Sequence, residues 1–281
     1  MRMGDIWKSE ATTPVMEGGL QYHIRCRPGD VARYVLLPGE PDRVNAIAAT
    51  WSEAREIADH REHRTFSGRI GDVEVTACST GVGGGSDANA FEELAVLGGD
   101  TYIRVGSTGA IQEHIPCGDL IITSAAMRHD GTTDQYVDPA YPAAASYEVT
   151  AALVEAAEDL GAAYHVGVTC TTASWYCGQG RPGFRGYTQS FFENKVADLQ
   201  RAGVLNFEMD AATILTLASL YGLRAGSVCA VVANRIRNEF VYTGIDNCIR
   251  VANRAVEILA GWDARKAAAG KRHWFPSLPA T

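Results

Sequence analysis

A chain of 281 residues with 46% hydrophobic and 21% charged side chains has ordinary globular composition, enough for one large α/β domain or two small ones. Its formal charge of −8 argues against a nucleic-acid surface, which needs a basic stripe that this sequence lacks. The seven cysteines (Cys26, Cys78, Cys117, Cys170, Cys177, Cys229, Cys248) are an odd number at wide spacing with no C-x-x-C pair, so neither a disulfide framework nor a zinc knuckle is indicated and a reducing cytoplasm fits best. No apolar run approaches the roughly 20 residues of a membrane span. Residues 1–14 carry Asp5 and Glu10 and no apolar segment, so they do not read as a signal peptide. Without a linker, low-complexity tract or repeat, the expected organisation is an N-terminal extension over 1–30 and one catalytic domain over 31–281.

Residues 1–30 read as irregular. A strand over 33–37 is stopped by Pro38-Gly39. Glu40-Pro41-Asp42-Arg43 then leads into Val44, Ile47, Ala48 and Trp51, a helical period with proline in its first turn. Strand, glycine turn and helix N-terminus present unpaired N–H groups and a positive dipole end to an anion, with Arg43 beside them. Hairpin-like strands follow over 53–61, 64–70 and 73–79, the last two joined by Gly71-Asp72. The glycine run Thr80-Gly81-Val82-Gly83-Gly84-Gly85-Ser86 opens a helix through Ala90, Phe91, Leu94 and Leu97. A dinucleotide fingerprint would place an acidic residue about 20 positions on. Arg104 and Ser107 stand there instead, so the glycines serve close packing or close approach of a small ligand. Further strands are expected over 118–127, 165–174, 205–209 and 224–233, and helices over 146–160, 189–202, 211–221 and 247–262. An aromatic-rich loop spans 128–142. This alternation predicts an α/β fold: a single domain of three α/β/α layers with a mixed central sheet flanked by helices.

The stretch Tyr102-Ile103-Arg104-Val105-Gly106-Ser107-Thr108-Gly109-Ala110 organises the rest. An interior strand is costly ground for a guanidinium, so Arg104 needs a bound acid or a buried carboxylate partner. Ser107, Thr108, Gly106 and Gly109 then offer hydroxyls and backbone N–H groups at the strand's end, where open α/β sheets bind ligands. Phosphate is the favoured anion; an Arg104 paired with a structural acid is the alternative.

Four separated pieces, Pro38–Arg43, Thr80–Ser86, Arg104–Gly109 and Asn206-Phe207-Glu208-Met209-Asp210-Ala211-Ala212, stand in an order and spacing that resembles the nucleoside phosphorylases of the uridine phosphorylase and hexameric purine nucleoside phosphorylase family. The resemblance runs from about His23 to the last helix. It implies phosphate binding by Gly39, Arg43, Arg104 and Ser107, with Arg61 lent by a neighbouring subunit. Three guanidiniums suit a dianion, because each donates in a planar fork and none can lose its charge. Glu40 stands where the family has aspartate and Ser107 where it has threonine. For ribose the resemblance implies Thr108, Glu208, Met209 and Asp210, with His23 from the adjacent subunit reaching the 5′-hydroxyl. The family's last carboxylate in this segment is a glutamate, and Asp210 is one methylene shorter. The residue-level alternative is that Glu208 and Asp210 are an acidic pair at a helix N-terminus. For the base it implies Thr108, Gly109, Trp175, Gln179 and Arg181 within Trp175-Tyr176-Cys177-Gly178-Gln179-Gly180-Arg181, similar to a pyrimidine-specific segment. A glutamine amide donates and accepts at once, and so reads the adjacent N–H and C=O of a uracil edge. Trp175 either stacks on the base or belongs to the core. The stretch 182–188 resembles a flap beside the base.

The expected activity is reversible phosphorolysis of a pyrimidine nucleoside, uridine or a close analogue, to free base and ribose 1-phosphate. Arg104, Gln179 and Arg181 carry the catalysis by positioning and electrostatics. No cofactor is expected beyond inorganic phosphate as co-substrate, save a candidate potassium site that the resemblance implies at Glu62, the Val82 carbonyl and Ser86. A homo-oligomer built of dimers follows if Arg61 and His23 come from neighbours, and the resemblance implies a hexamer; neither nucleic acid nor membrane is an expected partner. Competing readings are phosphorolysis of a nucleoside modified in sugar or base, a hydrolytic nucleosidase, and a non-catalytic nucleoside sensor.

Overall fold

The computed structural model describes residues 7–279; residues 1–6 of the expected extension, and 280–281, lie outside. The described chain opens with a small hairpin of β1 (Val15–Met16) and β2 (Leu20–Gln21), where the sequence suggested only irregular structure. Extension and domain are continuous: Ile24 and Cys26 are fully buried in the same apolar cluster as Leu37 and Phe91. The first half of the domain then runs β3 (Tyr34–Leu37), α1 (Pro41–Ala48), β4 (Glu53–His60), β5 (His63–Ile70), β6 (Val73–Cys78), α2 (Gly84–Val96) and β7 (Thr101–Ala110). The second half is β8 (Leu120–His129), β9 (Ala143–Ala144), α3 (Tyr147–Leu160), β10 (Tyr164–Thr172), α4 (Ser190–Glu193), α5 (Lys195–Arg201), β11 (Asn206–Glu208), α6 (Ala211–Leu220), β12 (Arg224–Asn234), β13 (Glu239–Phe240) and α7 (Ile245–Ala268). The helix expected over 189–202 is two pieces, α4 and α5, meeting at Asn194.

The central sheet is mixed and flanked by helices on both faces, as the alternation predicts. One core layer joins α1, α3 and α7 to the sheet through residues such as Ile47, Leu153 and Leu259; the other joins α2 and α6 through Phe91, Leu94 and Leu215. Tyr34-Val35-Leu36-Leu37 in β3 is buried on both sides, which explains why it reads as an unbroken apolar run. Helix α6 is buried almost all round because it lies between the sheet and α2.

Part of the sheet closes on itself, which alternation of elements does not reveal. Strand β12 pairs with β7 on one side and β8 on the other, while β10 and β11 link β8 back to β7. These five strands form a ring. The remaining strands continue outward from β7 in the order β3, β6, β5, β4. Strand β7 belongs to both parts: Thr101–Arg104 pair with β3, and Gly109–Ala110 pair with β11. Between these pairings β3 and β11 diverge, and the split opens at Arg104, a switch point of the kind where α/β sheets bind ligands.

Far from this split, Arg224 makes a two-pronged contact to Asp263 (2.8 and 2.7 Å), which also accepts from Tyr34 Oη at 2.7 Å and lies 2.8 Å from Lys266 Nζ. These donors depress the Asp263 carboxyl far below the usual carboxylate range, Arg224 foremost among them. Removing one partner of a buried network leaves the others uncompensated. Asp263→Asn is therefore expected to lower unfolding free energy by about 3–5 kcal/mol at neutral pH. Because the folded pKa is depressed, that contribution is present above the unfolded carboxylate value near 4 and fades in acid as pH falls toward the folded value. Denaturation midpoints of the two proteins should thus converge only in strong acid.

Candidate active site

A cavity of about 210 Å³ occupies the split, at the carboxyl ends of β3, β7 and β11. Its walls include Gly39, Glu40 and Arg43 from the β3–α1 turn, Gly81 and Val82 from the loop after β6, and Arg104, Ser107, Thr108 and Gly109 from β7. Trp175, Gln179 and Arg181 line it from the segment after β10, and Phe207, Glu208, Met209 and Asp210 from β11 and the turn that follows. The structure thus brings together every predicted site residue except Arg61, His23, Glu62 and Ser86. Val232, Ala233 and Phe240 complete the wall, and sequence reasoning missed them because they are ordinary apolar residues placed there by the β12–β13 turn.

Arg104 is buried, with Nε 2.8 Å from Glu208 Oε2 and Nη1 against Asp210 Oδ2. The carboxylate partner considered from sequence is therefore present. Yet neither Nε–H nor Nη1–H is aligned as a hydrogen bond. The side chain folds back over its own strand, and only glycine permits this: a Cβ at Gly106 would stand 2.8 Å from Arg104 Nη2 and 2.7 Å from Cys229 Sγ. Arg43, also buried, donates Nη1–H to the Val105 carbonyl at 3.2 Å and pairs Nη2 with Glu40, while its Nε–H has no partner. Tyr242 Oη lies 3.4 Å from the same Nη2. Two buried guanidiniums on one cavity wall suit an anion, whose charge would add to the carboxylates that already compensate them.

The acidic segment divides its roles. Glu208 Oε2 accepts the N–H groups of Asp210 (2.8 Å) and Ala211 (2.9 Å) at the start of α6, and Oε1 accepts the Thr171 hydroxyl. With Arg104 added, Oε2 is crowded with partners, while Oε1 keeps a lone pair and Glu208 still lines the cavity. Glu208 thus also holds the start of α6 and Arg104, as the acidic-pair alternative suggests for one of its two members. Asp210 differs: Oδ1 accepts the Gly83 N–H at 2.8 Å and its carboxylate faces the cavity. Thr108 donates to the Phe207 carbonyl at 2.7 Å and accepts from Asn206 Nδ2 at 2.6 Å, so its hydroxyl has only a lone pair left for a ligand.

On the opposite wall, Gln179 is buried and its Oε1 accepts from Arg181 Nη1. The Gln179 Nε2 donors and one lone pair remain. Arg181 lies 3.6 Å above the Trp175 ring and also donates to the Trp175 carbonyl at 2.7 Å. Trp175 is 47% exposed, so it is a platform for Arg181 rather than a core residue. Burial and the neighbouring Arg235 bring Arg181 down to about 10, which keeps it a cation at neutral pH. Arg235 donates to the Gln179 carbonyl at 3.0 Å, a support that sequence reasoning passed over. Asn234, by contrast, is consumed by the Gln112 and Ile115 carbonyls and the N–H groups of Ile236 and Arg237. The 182–188 stretch is a tight turn in which the Gly183 N–H donates to the Tyr187 carbonyl at 2.8 Å.

His23 and Arg61 sit away from the cavity but together. Arg61, at the β4–β5 turn with φ of 58°, donates to Tyr22 Oη at 3.3 Å; His60 Nδ1 donates to the His23 carbonyl at 2.8 Å, and His23 is held by Glu93. Ser86 Oγ lies 2.9 Å from Glu62 Oε1; the Glu62 backbone N–H foremost, and then the Ser86 hydroxyl, hold the Glu62 carboxyl below its usual range against a smaller opposing effect of burial. Hard oxygen donors of this kind suit an alkali cation. No cluster of three or more His, Cys, Asp or Glu side chains able to hold a metal occurs among the described residues.

The model of the phosphorylase superfamily matches residues 33–260, and the chain belongs to that superfamily. A uridine phosphorylase of Thermococcus kodakarensis is 59% identical over 268 residues, 95% of this chain and 97% of that protein. The uridine phosphorylase of Escherichia coli is 42% identical over 221 residues, 78% of this chain and 87% of that protein. A guanosine phosphorylase of Halorubrum lacusprofundi is 34% identical over 216 residues, 77% of this chain and 84% of that protein.

Because Glu208 compensates a buried guanidinium and caps α6, Glu208→Ala is expected to cost about 3–5 kcal/mol of stability. Trp175→Ala, at a half-exposed position, is expected to stay within about 0.5 kcal/mol. Guanidinium denaturation of both variants checks this ranking, and equal losses would contradict it.

Proposed function

We propose that this protein catalyses the reversible phosphorolysis of uridine, or a close pyrimidine nucleoside, to free base and ribose 1-phosphate. The observation that carries the reading is the pair of buried arginines, Arg43 and Arg104, lining one cavity together with Gln179 and Arg181, in a chain 59% identical to a uridine phosphorylase. Phosphate sits against Gly39, Arg43, Arg104 and Ser107, and ribose lies over Met209 with its hydroxyls toward Asp210 and Thr108. The base lies between Gly109 and the Gln179–Arg181 wall. As the glycosidic bond loosens, the sugar gains oxocarbenium character and phosphate attacks C1′ from the face opposite the base. The departing uracil anion is stabilised by the Gln179 amide N–H and the Arg181 cation. No protein nucleophile takes part; the gain comes from alignment and preorganised charge. Hydrolysis would not need two guanidiniums at an anion pocket, which disfavours a nucleosidase. A purine substrate is disfavoured because the wall around Gln179 presents an amide and the Arg181 and Arg235 cations and, among the described residues, no carboxyl that could protonate a purine ring.

The site is completed between subunits in this proposal: Arg61 and His23, adjacent on the surface of one chain, reach the phosphate and the 5′-hydroxyl of a neighbour's cavity. The assembly is a dimer-based hexamer. Glu62, the Val82 carbonyl and Ser86 hold a structural potassium ion near that contact, and no other cofactor is used. The seven unpaired cysteines support a cytoplasmic enzyme, and its reaction places it in pyrimidine salvage.

Uracil release from uridine should require inorganic phosphate and yield ribose 1-phosphate; release without phosphate would establish hydrolysis instead. Arg43→Ala and Arg61→Ala are each expected to lower kcat/KM for phosphate by about 10²–10³. Because the two residues serve one site from different chains, mixed oligomers of the two inactive variants should regain activity, whereas sites confined to one chain would give none.

A further inference from the structure

Asp87, in the first turn of α2, is fully buried, and its carboxyl oxygens have no well-aligned hydrogen bond among the described residues; the Thr80 hydroxyl, which also lies 3.5 Å from the Pro38 carbonyl, is the one neutral donor beside it. A buried ionised carboxylate with so little to hold it is expensive. The groups facing it are Asp210 from the turn before α6, Arg104 from β7, Glu208 from β11 and the Thr80 hydroxyl. Arg104 is already in ion-pair contact with Glu208 and Asp210. Asp87 and Asp210 are also tied to the same residue: the Asp87 N–H donates to the Gly83 carbonyl at 3.2 Å, and the Gly83 N–H donates to Asp210 Oδ1 at 2.8 Å. Three buried carboxyls therefore share one guanidinium, and two adjacent carboxyls in such a site cannot both ionise cheaply.

We propose that Asp87 is a carboxylic acid in the working protein and donates its proton to Asp210, acting as a positioning residue for the carboxylate that faces the ribose. This use of Asp210 rests on the site reading above. One proton resolves two deficits at once: Asp87 loses a poorly compensated buried charge, and Asp210 gains a hydrogen bond in addition to the Gly83 N–H and the ion pair with Arg104. A carboxylate one methylene shorter than glutamate is thereby held by a second acid behind it. Burial raises Asp87 well above the usual carboxylate range, and the charge of Asp210 raises it further.

The first test needs no activity. An Asp that stays protonated in the fold and ionises on unfolding makes the native state less stable as pH rises above about 4, by about tenfold in the folding constant per pH unit. Asparagine does not titrate and keeps an N–H donor toward Asp210. Guanidinium midpoints should therefore favour Asp87→Asn over the wild type by a margin that widens between pH 5 and neutrality, ranges chosen around the ordinary Asp value of about 3.9. If Asp87 were an ionised partner of Arg104, Asp87→Asn would instead be less stable throughout that range, and the proposal would fall. The second test reads the role. Asp87→Ala is expected to raise KM for uridine about tenfold, the effect of losing one hydrogen bond to a charged group, with KM for phosphate unchanged. Asp87→Asn should restore it and remove the alkaline decline of kcat/KM that ionisation of Asp87 produces. Unchanged uridine KM in Asp87→Ala, or failure of Asn to rescue, would overturn the positioning role. A wild-type protein inactive on uridine while the stability difference holds would fault the substrate reading alone.

Discussion

One buried guanidinium sets the terms for the rest of the site. Arg104 lies at the point where β7 leaves β3 for β11, with its charge met by Glu208 and Asp210 and its bend permitted by Gly106. Desolvating an arginine is tolerable only with carboxylates close by. Those carboxylates in turn order the chain: Glu208 holds the first N–H groups of α6, and Asp210 holds Gly83 ahead of α2. Two helix starts and two strands are thereby tied to a single charge.

The same arrangement leaves an excess of acid. Glu208 and Asp210 already offset Arg104, so a third carboxyl, Asp87, has no cation of its own and finds its neutral form favoured. The cavity is consequently held stiff by charge and hydrogen bonding around Asp210. The opposite wall is held by stacking and amide chemistry, through Trp175 under Arg181 and Arg235 behind Gln179. Between them Arg43 and Arg104 place two guanidiniums on the cavity wall. The cavity thus has three walls of different chemistry, each supported from outside it.

Most elements were legible in the sequence because each carries a local signal. Pro38-Gly39 before a proline-led helix, apolar β3, and the 53–79 hairpins follow from turn chemistry and periodicity. The candidate site was legible for a different reason: its residues cluster in short polar and glycine-rich stretches at strand ends. Residues with no such mark were missed, namely the apolar Val232, Ala233 and Phe240, and the supporting Arg235 and Tyr242. Asp87, in the first turn of α2, carries no mark in the sequence, and only burial distinguishes it from an exposed acid there.

By itself the sequence determined the α/β class, the order of the elements, the presence of an arginine that had to be compensated, and the segments that carry the chemistry. The tertiary structure decided the rest. Closure of β7, β12, β8, β10 and β11 into a ring depends on strand pairings far apart in the chain, which no local pattern encodes. The division of labour between Glu208 and Asp210 depends on which oxygen meets which backbone N–H, a matter of a few ångströms. So does the neighbourhood of His23 and Arg61, whose segments are joined through the His60–His23 and Arg61–Tyr22 contacts away from the cavity. Propensity and spacing act over a few residues, whereas charge compensation and register act through space, and the site is built from the latter.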